Sequence, residues 1–262
     1  MSPPGQPERA SHLAAFLAAV QFLLISPAFI RRPFTTGELG AAVGFYPLVG
    51  LILGGLLVGM DWLSSWLFPP LVRSAVVLTV WVLLTGALHL DGFLDACDGL
   101  LGGFTPERRL EIMRDERVGA YALSGGILLL LIQFSALSAL DGARLAALFL
   151  APVLGRWGIA LALIAYPYAR SSGLGREIKD NARFPQAVLA TIFALLALLG
   201  ATWLYSPRPI LAVSITALIT WLAVTRFTLK RIPGLTGDIY GAINLLVETS
   251  VLLALVATQD LV

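Results

Sequence analysis

The sequence predicts an all-α membrane protein: a polytopic bundle of seven to eight transmembrane helices joined by short loops, with one amphipathic cytoplasmic helix. Of its 262 residues, 58% are hydrophobic and only 13% are charged, a balance typical of membrane proteins rather than soluble domains. The apolar residues fall in runs of about 20, the length that crosses a bilayer as a helix. Helices of this length, joined by short loops, leave no room in the chain for a second, soluble domain. Residues 1–262 are therefore expected to form a single integral membrane domain.

The first apolar run, residues 12–30, follows a polar and proline-rich stretch, residues 1–11, that we expect to be a flexible tail. Three interpretations of this run stay open: a spanning helix, a helix lying in the membrane interface, and a cleaved signal peptide. Pro27 is expected to bend or end the helix, because it lacks the N–H that a helix interior needs.

Seven further spans are predicted, each bounded by proline, glycine or charged residues. They cover residues 42–67, 71–90, 118–139, 145–167, 186–205, 209–226 and 241–259. Glycine is frequent in these runs, as expected where helices in lipid approach each other through small residues.

The lysines and arginines are distributed unevenly between the two sides of the predicted bundle. If the segment 91–117 is cytoplasmic, its side also carries the loops 168–185 and 226–240, and thirteen basic residues lie there. The other side then carries three, which are Arg73, Arg144 and Arg208. Because basic residues concentrate in cytoplasmic loops, this segment is predicted to face the cytoplasm. The formal net charge of +2 is too small to indicate a nucleic-acid partner.

Three aspartates follow one another at helical spacing in this cytoplasmic segment. Asp91, Asp95 and Asp98 are spaced i, i+4 and i+7, which places them within an arc of roughly 60° on a helix. Carboxylates so close repel one another unless a cation lies among them. With one cysteine and two histidines in the chain, the oxygen-only ligand set favours Mg²⁺ over zinc. The alternative is a solvated face at a helix end.

Neighbouring residues extend the candidate site. His89 lies about 160° from Asp91 on a continuous helix, so it is expected to be a neighbour of the metal site rather than a ligand. Residues 104–117 are predicted to form a short amphipathic helix with Pro106 in its first turn. Within this segment, Asp115 is a candidate fourth acid and Arg114 a candidate phosphate-binding cation. The alternative is that both residues are ordinary surface charges with no role in a site.

Two later segments also carry candidate binding residues. Arg170 and Arg176 stand among serines and glycines, a composition suited to phosphate oxygens, although an ordinary basic loop explains it equally well. In GLTGDIYGAINLLVE, residues 234–248, Asp238 can cap a helix on which Asn244 and Glu248 share a face. An acid at the depth of Glu248 is functional or is paired with Arg156. For Gly237 and Gly241, which form a small-xxx-small face, the alternative is a role in helix packing alone.

Four motifs occur in order along the chain: FYPLVGLILG at 45–54, HLDGFLDACDGLLGG at 89–103, RRLEIMRDERVGAYA at 108–122 and GLTGDIYGAINLLVE at 234–248. This ordered set resembles the cobalamin synthase family, adenosylcobinamide-GDP ribazoletransferase, and spans most of the chain. The family tends to show an arginine and two prolines close together after the first apolar run. This chain has SPAFIRRPF there, so the resemblance assigns no role to Arg31 or Arg32.

The resemblance implies a multi-pass enzyme of the bacterial or archaeal cytoplasmic membrane, embedded in lipid, with its active-site loops in the cytoplasm. It would join the small molecules adenosylcobinamide-GDP and α-ribazole, or α-ribazole 5′-phosphate, with Mg²⁺, releasing GMP and giving adenosylcobalamin or its 5′-phosphate. This is the late nucleotide-loop assembly step of vitamin B12 biosynthesis. A monomer and a homo-oligomer are both compatible with the sequence.

The resemblance also implies roles for the candidate residues. The three stripe aspartates would hold one or two Mg²⁺, and Asp115 would complete or position that site. The remaining candidates would contact substrate, with the arginines clamping phosphates and Asp238 and Asn244 bounding a nucleotide or ribazole pocket; these are His89, Arg114, Arg170, Arg176, Asp238, Asn244 and Glu248.

Two other functions fit parts of the sequence. DACDG at 95–99 begins like the motif of membrane phosphotransferases that use a CDP-activated alcohol, but the Ala-Arg pair expected next is missing. A transporter would also explain acids and an arginine in the membrane. It predicts ionisable residues near the midplane along a path, whereas most of these residues lie at one edge.

Overall fold

The computed structural model describes residues 11–261, so residues 1–10 of the predicted tail lie outside the described residues. The described chain is helical and contains no β-strand. Its α-helices are α1 (His12–Leu23), α2 (Thr36–Ala42), α3 (Tyr46–Ser65), α4 (Pro70–Leu84), α5 (Leu88–Gly102), α6 (Pro106–Ile112), α7 (Ala120–Ala139), α8 (Arg144–Ala165), α9 (Leu174–Asn181), α10 (Phe184–Leu204), α11 (Pro207–Leu229) and α12 (Gly237–Thr258).

The predicted all-helical membrane bundle is confirmed. Within residues 11–261, six helical segments are long and apolar enough to cross a membrane, and the bent pair α4 and α5 makes a seventh if it counts as one span. Helix α3 continues from α2 through a 3₁₀ turn, so this span covers Thr36–Ser65. Helix α1 has only 12 residues, well below the roughly 20 that a crossing needs.

Helices α8 and α12 form the centre of the bundle. Most of their residues are buried, whereas α7, α10 and α11 expose many leucines and isoleucines on their outer faces. Exposed apolar side chains of this kind are typical of a surface that meets lipid. The central pair therefore fixes the positions of the helix ends at which the polar residues gather.

The predicted helix over residues 71–90 is not continuous, because α4 ends at Leu84 and the chain bends by 87° before α5. Gly86 and Ala87 both adopt positive φ, 60° and 55°, and so end the first helix. Ala87 holds a conformation that residues with a side chain rarely adopt. As a consequence α5 starts afresh at Leu88 and runs without a break through Gly92, so the three aspartates lie on one continuous helix.

The predicted loops 168–185 and 226–240 are joined to each other by backbone hydrogen bonds. The N–H of Ala169 donates to the carbonyl of Leu235, and the N–H of Leu235 donates to the carbonyl of Pro167, both at 2.8 Å. Gly234 lies so close to this segment that a Cβ there would be 2.6 Å from the carbonyl oxygen of Pro167. The contact fixes the segment after α8 against the start of α12.

Both loops are shorter than predicted, because helices occupy part of each segment. Helix α9, with 8 residues, occupies the middle of the first, and its Ile178 side chain is buried, whereas Leu174, one turn before it, is 46% exposed. Helix α12 begins at Gly237, four residues before the predicted start, with the Thr236 side chain capping it through the N–H of Ile239 at 3.3 Å.

The end of the bundle opposite α6 has its own ion-pair cluster. Asp61 of α3 pairs with Arg73 of α4 and, at 2.8 Å, with Arg144 of α8. Two of the three basic residues predicted for that side therefore neutralise one buried acid and join three helices.

Candidate active site

The acidic stripe lies on α5 as the spacing predicts, and its members differ in their exposure. Asp91 is exposed, Asp95 is half-buried and Asp98 is buried. Within residues 11–261, the carboxylates of Asp91 and Asp95 accept no hydrogen bond and form no ion pair. These two carboxylates are the ones with oxygens free to bind a cation.

Asp98 has a different environment, because its carboxylate caps the start of α7. Its Oδ2 accepts the N–H of Gly119 at 2.6 Å, and its Oδ1 accepts the N–H of Ala122 at 2.9 Å. Amide groups at a helix N-terminus have no partner within the helix, and a carboxylate also complements the helix dipole. A Cβ at Gly119 would lie 2.6 Å from the Asp98 carboxylate, so glycine permits this close approach. Asp98 thus joins α5 to α7.

The first turn of α12 forms the wall opposite the stripe. A Cβ at Gly92 would lie 3.0 Å from Cα of Asp238, and a Cβ at Gly241 would lie 2.9 Å from the carbonyl oxygen of His89. Helices α5 and α12 therefore touch backbone to backbone, which only small residues allow. This packing brings Asp238 beside the stripe, although it is 140 residues or more away in sequence from all three stripe aspartates.

Arg170 provides the positive charge at this wall. Its Nη2 donates to Oδ2 of Asp238 at 2.6 Å and to the carbonyl oxygen of Met113, after α6, at 3.3 Å. Thr236 also donates to Oδ2 of Asp238, at 3.1 Å. The backbone hydrogen bonds of Leu235 with Ala169 and Pro167 hold Arg170 at this place. The segment before α7, the segment after α8 and the start of α12 therefore meet at Arg170.

The site carries an excess of negative charge. The Asp95 carboxyl group interacts electrostatically with Asp238, Asp91 and Asp98, and with one cation, Arg170. Four carboxylates against one guanidinium leave a site that attracts a further cation. The arrangement is therefore suited to a divalent metal ion or to a substrate that brings one.

The described residues supply some of the ligands that a Mg²⁺ site needs. Between residues 11 and 261, no group of three or more histidine, cysteine, aspartate or glutamate side chains is arranged to hold a metal ion by itself. Mg²⁺ usually takes only one or two carboxylates and completes its shell with water and substrate phosphate. Asp91 and Asp95 meet that requirement, whereas both oxygens of Asp98 already accept backbone N–H groups.

A cavity of about 180 Å³ opens beside these acids, between α5, α8, α9 and α12. Asp91 and Asp238 lie at its polar edge, and His89 lines it from the first turn of α5. Most of the remaining lining is apolar or aromatic, including Phe22, Tyr46 and Tyr240. A substrate group in this cavity would be in contact with the acids at one end only.

Asp115 lies outside this arrangement. Its carboxylate accepts hydrogen bonds from Arg117 at 2.7 and 2.9 Å, and both side chains are at the surface. The hydrogen bonds from Arg117 lower the pKa of Asp115 to about 2. Arg114, the candidate phosphate-binding cation, is exposed, and its positive charge opposes the rise in the pKa of the Tyr168 hydroxyl.

Arg176 is also engaged elsewhere, since it pairs with Asp180 one turn along α9 at 2.8 Å. Lys179 on the same helix donates to the carbonyl oxygens of Leu163, at 2.5 Å, and Ile164, at 3.1 Å. Burial lowers the pKa of Lys179. It binds the last carbonyls of α8, the favourable place for a cation at a helix C-terminus, rather than a substrate phosphate.

Glu248 and Asn244 lie deeper in the bundle. Glu248 pairs with Arg156 at 3.1 Å, and both side chains are almost fully buried. Asn244 is fully buried one turn before Glu248, and a Cβ at Gly155 would be 2.7 Å from its Oδ1. The pairing of Glu248 with Arg156, one of the two alternatives from the sequence, is therefore present. Neither Glu248 nor Asn244 lines the cavity beside the acids.

Sequence reasoning missed the aromatic residues of the site. Tyr168 stacks on Tyr240 with ring centroids 6.2 Å apart, and Phe22 stacks on Tyr46 at 6.4 Å. Burial raises the pKa of Tyr168, while the nearby Arg170 opposes that rise. Two signals were present in the sequence: Tyr240 follows Asp238 by two residues, and Tyr46 lies in the motif FYPLVGLILG at 45–54. Phe22 had none, because it belongs to an apolar run.

Comparison with known proteins identifies relatives of this chain. The family model described as cobalamin-5-phosphate synthase, CobS, matches residues 15–256. An adenosylcobinamide-GDP ribazoletransferase of Desulforamulus reducens is 38% identical over 245 residues, covering 93% of this chain and 96% of the relative. Proteins of the same name from Stutzerimonas stutzeri and Pseudomonas aeruginosa are 42% and 41% identical, covering 91% and 93% of this chain and 96% and 98% of the relatives. No solved structure matches the chain significantly. The chain belongs to the cobalamin-5-phosphate synthase family.

Proposed function

We propose that the protein is a membrane transferase that joins adenosylcobinamide-GDP to α-ribazole or to α-ribazole 5′-phosphate and releases GMP. The product is adenosylcobalamin or its 5′-phosphate. Relatives that carry the name of this activity match the chain over nine-tenths of its length. The observation that carries the proposal is the meeting of Asp91, Asp95, Asp238 and Arg170 beside one cavity, because diphosphate chemistry needs such groups.

In the proposed reaction, a hydroxyl oxygen of ribazole forms a bond to the phosphorus attached to cobinamide. The bond between that phosphorus and the oxygen bridging to GMP breaks, and GMP leaves with the electron pair. The hydroxyl proton passes to a carboxylate of the site that is not committed to metal. Arg170 faces the diphosphate and neutralises charge on its oxygens, a role suited to its planar guanidinium.

Magnesium fits this proposal through Asp91 and Asp95, whose carboxylates have no partner among the described residues. A bound Mg²⁺ supplies a positive charge against which the diphosphate oxygens are stabilised as the bond to GMP breaks. Asp98 keeps α7 in place behind these two ligands, and Asp238 holds Arg170 in the orientation that faces them.

We propose the cytoplasmic membrane of a bacterium or archaeon as the location, with this end of the bundle in the cytoplasm. The excess of basic residues on the side of α6 and α9 supports that orientation. Both substrates would then reach the site from the cytoplasm, while the corrinoid part of the donor rests against the membrane surface.

The proposal is tested with the purified protein in liposomes supplied with Mg²⁺, adenosylcobinamide-GDP and α-ribazole. We expect GMP and the joined corrinoid to form in equal amounts, and no GMP without ribazole. GMP release that does not depend on ribazole would indicate a hydrolase instead. A CDP-activated alcohol as donor is the specificity control, and CMP release from it would support the rival phosphotransferase function. Uptake of either substrate into the liposomes without product would support a transporter.

A further inference from the structure

The cavity beside the acids has a chemical character that the reaction alone does not explain. Two stacked aromatic pairs stand at its sides, Phe22 with Tyr46 and Tyr168 with Tyr240, and three of these four rings form part of its lining. Aliphatic side chains complete the lining; they are Leu23, Leu88, Ile159, Leu163, Leu174 and Ile178. Such walls favour a flat, mainly apolar ring system over a sugar or a phosphate.

Two buried polar atoms on the lining residues have no hydrogen-bond partner among the described residues. They are the hydroxyl oxygen of Tyr240 and Nε2 of His89. His89 is 4% exposed and Tyr240 is 6% exposed, so water does not reach them freely. Leaving a buried polar group without a partner is unfavourable, so a ligand that supplies the missing partner is favoured.

We propose that this cavity binds the benzimidazole base of the acceptor, α-ribazole, with the Tyr240 hydroxyl donating a hydrogen bond to its unsubstituted ring nitrogen and His89 also contacting the acceptor. The inference rests on the proposed function and names the place of one substrate. The base of ribazole is a bicyclic aromatic ring with an apolar outer edge and one free ring nitrogen, which matches apolar walls with few polar atoms. Guanine, the base of the donor, carries donors and acceptors along most of its edge and would leave them unpaired here.

The position of the cavity agrees with this assignment. Its polar edge is formed by Asp91 and Asp238, so a base held between the aromatic rings directs the attached ribose toward the acids. The cavity volume of about 180 Å³ admits one bicyclic base and excludes a corrin ring. The donor then occupies the open side of the site, where its diphosphate meets Arg170.

The first test uses the unmodified protein and free bases as probes. We expect benzimidazole to inhibit GMP release competitively with α-ribazole and not competitively with adenosylcobinamide-GDP. Competition of benzimidazole with the donor, or competition of guanine with ribazole, would contradict the inference while leaving the proposed function intact. Failure of the protein to join the substrates at all would instead contradict the proposed function.

The second test uses Tyr240→Phe, which removes the hydroxyl and keeps the ring. We expect the KM for α-ribazole to rise about threefold to tenfold, the loss of one hydrogen bond, with the KM for the donor unchanged. The dissociation constant of α-ribazole measured calorimetrically without donor should rise by the same factor. Tyr121→Phe is the matched control, since Tyr121 is exposed on α7 and is not part of the cavity. An unchanged ribazole KM in folded Tyr240→Phe would overturn the inference.

A third variant, His89→Gln, tests the other polar atom. Its matched control is His12→Gln, because His12 is the only other histidine and is exposed at the start of α1. We expect the same selective rise in the ribazole KM for His89→Gln alone. A rise in the donor KM without a rise in the ribazole KM would contradict the assignment.

Discussion

Arg170 and Asp238, separated by 68 residues in the chain, form an ion pair of 2.6 Å beside the acidic stripe of α5. Both side chains are largely buried, with 15% and 16% of their surfaces exposed. The pair exists because the backbone of Ala169 hydrogen-bonds to Leu235, which sets the segment after α8 beside the start of α12. The guanidinium of Arg170, which faces the acidic stripe, is thus oriented by an acid from another element of the fold.

Replacement of Arg170 by lysine should reduce turnover at least tenfold and raise the KM for adenosylcobinamide-GDP. Lysine keeps the charge but lacks the planar fork that can bind Asp238 and a phosphate oxygen together. The measurement is GMP release at varied donor concentration. Arg108→Lys is the control, because Arg108 is exposed and pairs only with Glu111 among the described residues. Wild-type kinetics for Arg170→Lys would show that the ion pair serves the fold alone.

Asp95→Asn should abolish turnover without lowering the melting temperature. The amide has the same shape but removes one of four mutually repelling carboxylates, so stability should stay equal or increase. Activity and thermal unfolding are measured on the same detergent-solubilised preparation. Substantial activity in this variant would remove Asp95 from the metal site.

Asp98→Ala should lower the free energy of unfolding by about 1–3 kcal/mol, because the first N–H groups of α7 lose their acceptor. The loss should be the same with and without Mg²⁺. Asp141→Ala is the control, since the Asp141 side chain is exposed in the turn before α8. A destabilisation that appears only when Mg²⁺ is present would show that Asp98 binds metal, as the sequence alone predicts.

Asp95 and Asp98 show which features of the site could be predicted from the sequence and which could not. The i, i+4, i+7 spacing correctly placed Asp91, Asp95 and Asp98 on one stripe, since spacing determines direction on a helix. The different environment of Asp98 depends on the start of α7 more than twenty residues later, and local periodicity contains no information about that contact. The same holds for Arg176, whose partner Asp180 appeared only once the loop was found to be helical.

Tertiary contacts also account for the misplaced boundaries. The 71–90 run reads as one apolar span, and only the positive φ values of Gly86 and Ala87 reveal the bend. The charged pair of Arg156 and Glu248 was one of two alternatives, because an acid and a base in separate apolar runs could pair only if α8 packs on α12. Charge distribution and family motifs, by contrast, are properties of the sequence itself.

Glu248→Leu should destabilise the protein by about 3–5 kcal/mol, because Arg156 is left buried without its counter-ion. The double variant Arg156→Met with Glu248→Leu should recover most of that loss, since it leaves no charge unpaired. Denaturant unfolding in detergent measures both. If the double variant is no more stable than Glu248→Leu, the pair is not what stabilises the contact between α8 and α12.

Gly241→Ala should destabilise the contact between α5 and α12 by about 1–3 kcal/mol. Its new Cβ would lie 2.9 Å from the carbonyl oxygen of His89, and backbone cannot move aside cheaply. Gly237→Ala is the matched control on the same helix, since a Cβ there meets nothing within 4 Å. Equal melting temperatures for the two variants would mean that α12 and α5 are not in the close contact described here.

The most direct test of the account is a Mg²⁺ titration of GMP release in liposomes containing wild-type protein or Asp95→Asn, with both substrates present. The account predicts no release by the wild type after chelation, recovery on adding Mg²⁺, and no recovery for Asp95→Asn at any Mg²⁺ concentration. Equal activity of the wild type with and without the metal, or restoration of Asp95→Asn by excess Mg²⁺ to the wild-type rate, would contradict it.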